Sequence, residues 1–172
     1  MLEKNNPYSL NKPYPPVKVK APNLMFREVL MDDYAGIASE LTAITQYLYQ
    51  HLESTKIYPS YAKLFKGIAM VEMHHLELLG DLIVAFGGNP TYRGSYNINF
   101  AYWSGTYVNY SQNLREQLIA DIHAEKTAIE NYQRHLTIIN DPYARAVLYR
   151  IIEDEELHLK LFRDALKSLR EG

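Results

Sequence analysis

Apolar residues recur at intervals of three and four along four stretches of this chain, the spacing of helices that turn one face to a core. The first stretch spans about Leu24 to Ser54 and carries Ile37, Leu41, Ile44 and Leu48 on one face. Pro59 interrupts it, and a second runs from about Ser60 to Phe86, where Gly87, Gly88 and Pro90 stop it. The third begins near Ser111, a suitable N-cap, and ends around Asn140. Asp141 followed by Pro142 makes a cap and first-turn start for the fourth, which continues to about Leu169. The links near 55–59 and 139–141 are short, so the helices pair as two antiparallel hairpins. Residues 89–110 have no helical period and are rich in Tyr, Asn, Gly and Ser, a link long enough to travel the length of a bundle. The expectation is an all-α four-helix bundle of two antiparallel hairpins joined by one long crossover.

The segment before Leu24 cannot be helical, because Pro7, Pro13, Pro15, Pro16 and Pro22 fall within it. Residues 1–24 therefore read as an extended N-terminal arm, and 25–172 as the bundle. Such an arm lies over its own bundle, lies on a neighbouring subunit, or moves freely.

Composition narrows the chemistry. The 172 residues suit one domain, and no apolar run approaches the roughly 18–20 residues of a membrane span. The N-terminus lacks a basic-then-apolar signal, so a cytoplasmic protein is expected. A formal charge of -2 argues against nucleic acid, which requires a clustered positive surface. The absence of cysteine removes disulfides, thiolate zinc sites, iron–sulfur clusters and thiol catalysis. A metal would need His and carboxylate ligands, which suit iron, manganese and zinc. The 15 tyrosines read first as amphipathic packing residues.

An internal repeat points to such ligands. Residues 40–47 read ELTAITQY and 125–132 read EKTAIENY; residues 72–79 read EMHHLELL and 155–162 read EELHLKLF. Each hairpin thus carries a Glu with a Tyr seven positions later, then Glu-x-x-His-Leu on its second helix, at offsets of 85 and 83 residues. Residues three apart share a helix face, so Glu72 points with His75 and Glu155 with His158. All four glutamates fall within apolar stripes, Glu40 between Ile37 and Ile44, Glu125 between Ile122 and Ile129. Burying four unpaired carboxylates would cost several kcal/mol each. Two cations remove that cost, and Glu plus Glu-x-x-His on each of two hairpins is the recurrent ligand set of di-iron and di-manganese bundles. The expected ligands are Glu40, Glu72, His75, Glu125, Glu155 and His158, the glutamates also serving as catalytic groups, around two ions of manganese or iron.

Other candidates rank behind these. Asp154 is placed to accept a hydrogen bond from the far nitrogen of a ligand histidine, His75, although its counterpart in the first hairpin is Val71. Tyr47 and Tyr132 read first as core residues, with hydrogen bonding to a ligand glutamate as the sharper alternative. His74 and Glu156 point away from the stripe, nothing singles out His51 or Glu130, and His123 and His135 lack partners at ligand spacing.

At these motifs the chain resembles the ferritin-like superfamily, and within it the manganese-catalase-like and rubrerythrin-like branches, over about residues 25–170. The resemblance implies that Glu40 and Glu125 are terminal or bridging carboxylates, that Glu72 bridges, and that His75 and His158 are terminal. It implies that Glu155 binds metal if the site is rubrerythrin-like, and can stand beside the cluster if it is manganese-catalase-like. The Glu125–His158 interval, Tyr47 and the Tyr-rich crossover are more similar to manganese catalase. Two departures stand out: manganese catalases usually carry further C-terminal segments, and rubrerythrins commonly carry a cysteine-bound iron site that serves as electron donor. The expected function is disproportionation of hydrogen peroxide by a homo-oligomer. The alternatives are a di-iron peroxidase or oxidase using peroxide or dioxygen, a ferroxidase or iron-handling protein, and a structural, spore-coat-type relative.

Overall fold

In the computed structural model, which describes residues 6–95 and 101–171, the chain is an all-helical bundle. Its helices are α1 (Leu24–Ala35), α2 (Glu40–Ser54), α3 (Pro59–Ala85), α4 (Leu114–Ile138) and α5 (Pro142–Glu171), with a single 3₁₀ turn at Gly105–Tyr107. Among the described residues the only β pairing is an isolated bridge between Arg93 and Tyr102. Residues 96–100 of the expected crossover and 1–5 of the arm lie outside the described residues.

The expected first helix is two helices, which corrects the reading of 24–54 as continuous. At Gly36 the chain turns extended, and a Cβ there would lie 2.6 Å from the Asp32 carbonyl oxygen. Ser39 then caps α2, accepting from Thr42 N at 3.3 Å and donating to the Gly36 carbonyl at 2.8 Å. The break leaves Ile37 58 % exposed, so it does not belong to the core stripe; Leu48, 47 % exposed, does not either. It also puts Glu40 at the first position of α2, where unpaired backbone N–H groups favour a negative charge.

The other boundaries need smaller adjustments. Asn113, not Ser111, caps α4 through its side chain. The Asp141 carboxylate accepts from Tyr143 N and Ala144 N and so caps α5. The crossover is hooked to α2 by Trp103 Nε1 donating to Thr42 Oγ1 (3.0 Å) and Asn109 N donating to Gln46 Oε1 (2.9 Å).

Two apolar clusters fill the bundle. One gathers Phe26, Leu30, Met31, Leu79, Leu82, Ile83, Phe86 and Ile151; the other gathers Tyr47, Phe65, Ile68, Leu118 and Phe162. Each fully buried Leu or Phe stabilises the fold by about 1.5–3 kcal/mol. On α3 and α5 the Glu-x-x-His motifs fall between these clusters, so the apolar core is interrupted at mid-bundle by a polar layer.

Candidate metal centre

The polar layer is built by four helices. Glu40 comes from the start of α2, Glu72 and His75 from α3, Glu125 from α4, Glu155 and His158 from α5. All six are buried, none more than 4 % exposed. Their ligand atoms form two groups, Glu40–Glu72–His75–Glu155 and Glu72–Glu125–Glu155–His158, with the atoms of each group within 4.8 Å of one another. Glu72 and Glu155 are common to both.

The two histidines have matching surroundings. His75 Nδ1 lies 2.9 Å from Glu72, 3.0 Å from Glu155 and 3.9 Å from Glu40. His158 Nδ1 lies 2.9 Å from Glu72, 3.1 Å from Glu155 and 3.9 Å from Glu125. One oxygen each of Glu72 and Glu155 makes no hydrogen bond despite this proximity. A single N–H cannot serve two carboxylates, and the orphaned oxygens are what a set of cation ligands leaves when considered alone.

Electrostatics give the same answer. Burial, then the charges of Glu155 and Glu72, raises Glu40 well above the ordinary carboxylate range. Burial, then Glu72 and Glu155, does the same to Glu125. Burial pushes both imidazoles down, but the facing carboxylates, Glu155 first for His75 and Glu72 first for His158, overcome it and raise both well above their usual value. Burial likewise pushes Glu155 up, and His75 with His158 more than offset it, holding Glu155 below its usual range. Without cations the layer drives Glu40, Glu125 and both histidines toward their protonated forms, so the donor set fits a pair of divalent or trivalent cations whose charge would take the place of those protons.

Groups around the layer fix its orientation. Tyr47 donates to Glu125 Oε1 at 2.5 Å and Tyr132 donates to Glu40 Oε1, each crossing from one hairpin to the other. Burial, followed by the facing carboxylate, raises both phenols well above the ordinary tyrosine value, so they remain donors. The hydrogen-bonding alternative for these tyrosines is therefore the one seen, alongside packing: the Tyr47 and Phe162 rings lie 5.2 Å apart. Asp154 accepts from His75 Nε2 at 3.3 Å. The Tyr8 carbonyl, 2.8 Å from His158 Nε2, can only accept, so that nitrogen carries a proton and Nδ1 is the nitrogen that would give its lone pair to a cation.

The rubrerythrin family profile matches residues 34–166. The chain belongs to the rubrerythrin family. The manganese catalase KatB from Anabaena PCC7120 superposes with a TM-score of 0.84 at 25 % identity, over 93 % of this chain and 79 % of that one. A bacterioferritin from Streptomyces coelicolor is 30 % identical over 127 residues, 72 % of this chain and 70 % of its own. Protein CotJC of Bacillus subtilis is 26 % identical over 91 % of this chain and 90 % of its own.

In this rubrerythrin-family chain the layer opens, among the described residues, toward α2 and α4. A cavity of about 430 Å³ between α2 and α4 reaches Glu40, Glu72, Glu125 and Glu155, and its walls include Ala43, Ala120, Ala124 and Ala128. Those small side chains leave the room. His75 and His158 do not line it; they face the arm. His74, half-buried, pairs with Glu77 at 3.2 Å, and Glu156 is exposed, as their helical phase requires.

Several supporting residues escape sequence reasoning. His135 is buried and its Nδ1 lies 2.6 Å from Asp33 on α1. Asp121 accepts from Gln46 at 2.9 Å and Gln50 at 2.8 Å. Burial lifts its pKa to about 8 against the lowering effect of those two bonds. Arg150 pairs with Asp154 at 2.8 Å, and its i,i+4 spacing is the one signal that could have disclosed it. A backbone acceptor such as the Tyr8 carbonyl leaves no trace in residue type. Among the described residues no helix is long and apolar enough to cross a membrane.

Proposed function

We propose that this protein is a di-metal redox enzyme that disproportionates hydrogen peroxide in the manner of the manganese catalases. The observation that carries the reading is the pair of buried four-residue groups sharing Glu72 and Glu155, opened to a cavity that small alanines keep clear. Glu40, Glu72, His75 and Glu155 would hold one ion, and Glu72, Glu125, Glu155 and His158 the other. When bound, two such ions would supply two one-electron changes side by side, the chemistry needed to oxidise or reduce peroxide by two electrons without release of a radical. The protein does the remainder. Tyr47 and Tyr132 hold Glu125 and Glu40 in place, and the carboxylates that line the cavity can take and return the protons that peroxide gives up and water needs. The cavity admits a molecule of peroxide size to the carboxylate side. With no cysteine-held donor, a reaction in which the substrate is both oxidant and reductant suits the chain best.

One feature favours a second reading. Glu155 stands to both histidines as Glu72 does, the placement of a metal-binding rather than a bystander carboxylate, and this suits a bacterioferritin-like oxidation of iron(II) by dioxygen or peroxide. The test is direct. The protein is purified without chelator, its metals are counted by elemental mass spectrometry, and oxygen release from peroxide is followed. About two manganese per chain with steady oxygen release is expected. A fully loaded di-manganese form that releases none sinks the catalase reading, and rapid iron(II) oxidation by the same chain would favour the alternative.

A further inference from the structure

The histidine side of the layer is closed by the N-terminal arm. Ser9 Oγ and Leu10 N donate to Asp154 at 3.1 and 2.8 Å, and Tyr14 Oη donates to it as well. Arg150 ties the arm down by donating to the Leu10 carbonyl at 2.9 Å, while its guanidinium lies 4.3 Å from the centre of the Tyr14 ring. Tyr8 gives its carbonyl to His158.

This last contact fills a gap in the repeat. Asp154 precedes Glu155 and serves the histidine of the other hairpin; the equivalent residue before Glu72 is Val71, which has no acceptor to offer His158. The arm supplies a backbone oxygen in its stead. What seats it is Gly67 on α3: a Cβ there would fall 2.0 Å from the Tyr8 ring, so only glycine lets the ring lie against the helix at that point. A glycine in a helix interior costs about 1 kcal/mol relative to alanine, and the seated ring gives it a reason.

We propose that the arm is part of the metal centre, a positioning strap whose Tyr8 carbonyl orients His158, so that the ion bound by His158 depends on the arm more than the ion bound by His75. The proposal rests on the di-metal reading. His75 keeps Asp154, which Arg150 still holds when residues 2–10 are gone. His158 has the Tyr8 carbonyl as the one acceptor seen at its Nε2 among the described residues. Losing such a partner weakens metal affinity by about 10–100-fold.

The experiment uses the full-length protein, a Gly67→Leu variant whose side chain takes the seat of the Tyr8 ring, and a chain lacking residues 2–10. Each is titrated with cobalt(II), whose visible bands report nitrogen ligation, and its release to a chelator is timed; thermal unfolding of each metal-free form is recorded alongside. The expected result is two ions in the full-length protein, one ion weakened by about 10–100-fold and the other held as before in Gly67→Leu, and in the shortened chain, which also loses the Ser9 and Leu10 donors to Asp154, a larger loss at the His158 ion than at the His75 ion. A purely structural role would lower the metal-free melting temperature and weaken both ions equally, which overturns the proposal. Unchanged affinity and release for both ions overturns it too. If Gly67→Leu does not fold, the shortened chain decides. Failure of the full-length protein to bind cobalt(II) at all would overturn the di-metal reading itself, and the strap with it.

Discussion

The two hairpins present the same chemistry with different supports, and the difference lies in what stands outside the repeat. His75 leans on a side chain, Asp154, whereas His158 leans on the backbone of the arm. A second contrast runs along the outer ends of the layer. Gln50 and His135 occupy equivalent positions, and each reaches an aspartate of the opposite hairpin: Gln50 meets Asp121 on α4, His135 meets Asp33 on α1. The residue equivalent to Asp121 is Gly36, where the first leg breaks, so its acid comes from one turn earlier. The repeat thus accounts for the six clustered side chains, and each half holds them by its own means.

The largest test of this comparison removes a shared group. Glu72→Ala, belonging to both clusters, is expected to abolish binding of both ions, whereas His158→Ala should leave one; elemental analysis after dialysis separates the two results. Equal loss from both variants would mean the centre has no halves. Next, Asp154→Asn should weaken the ion at His75 by about 10–100-fold, the mirror image of the arm variants, as read by cobalt(II) titration. If it weakened the His158 ion instead, the assignment of supports would be reversed. Tyr47→Phe and Tyr132→Phe should be matched in size, because each removes one hydroxyl from one buried carboxylate. A loss of about 1.5–3 kcal/mol apiece, by chemical denaturation of the loaded protein, is the scale for a bond to a charged group. Unequal losses would show that the repeat is less symmetric than its distances.

The smallest effect concerns the ends. Asp121 keeps its proton in the fold up to a pH of about 8, whereas unfolded it titrates near its ordinary 3.8. Between those values the native state binds the extra proton, so stability falls as pH rises through the window. Asp121→Asn cannot ionise, and its amide can meet Gln50 Oε1, which now lacks a partner. It should be more stable than the parent at pH 8 and show a flatter profile, with little difference at pH 4. An unaltered pH profile would show that Asp121 is not the group responsible.

Much of this was legible beforehand because the repeat obeys helical geometry. Residues three apart must share a face, so Glu72–His75 and Glu155–His158 were bound to meet once two hairpins paired, and Asp154 follows from its phase beside them. The break after Ala35 was less legible, since Leu41 and Ile44 continue an apolar stripe across it; Gly36 followed by Ser39 was the available sign, a helix end and an N-cap in succession. The partnership of His135 with Asp33 crosses 102 residues and depends on how α1 settles against α4, which no local spacing encodes. The arm lies furthest from the sequence. Its prolines exclude a helix but do not say where an extended chain goes.

The crossed tyrosines tie the two hairpins together. Tyr47 serves Glu125 of the second hairpin and Tyr132 serves Glu40 of the first, so neither hairpin's tyrosine holds its own hairpin's carboxylate. A lone hairpin with this pattern would expose its Glu and its Tyr to water; two copies about a two-fold axis would satisfy each other at once. The arrangement has the reciprocity of an isologous pair, each half supplying the hydroxyl that the other half's carboxylate needs. Neither hairpin is therefore complete without the other, and the arm is the one support that stands outside this exchange.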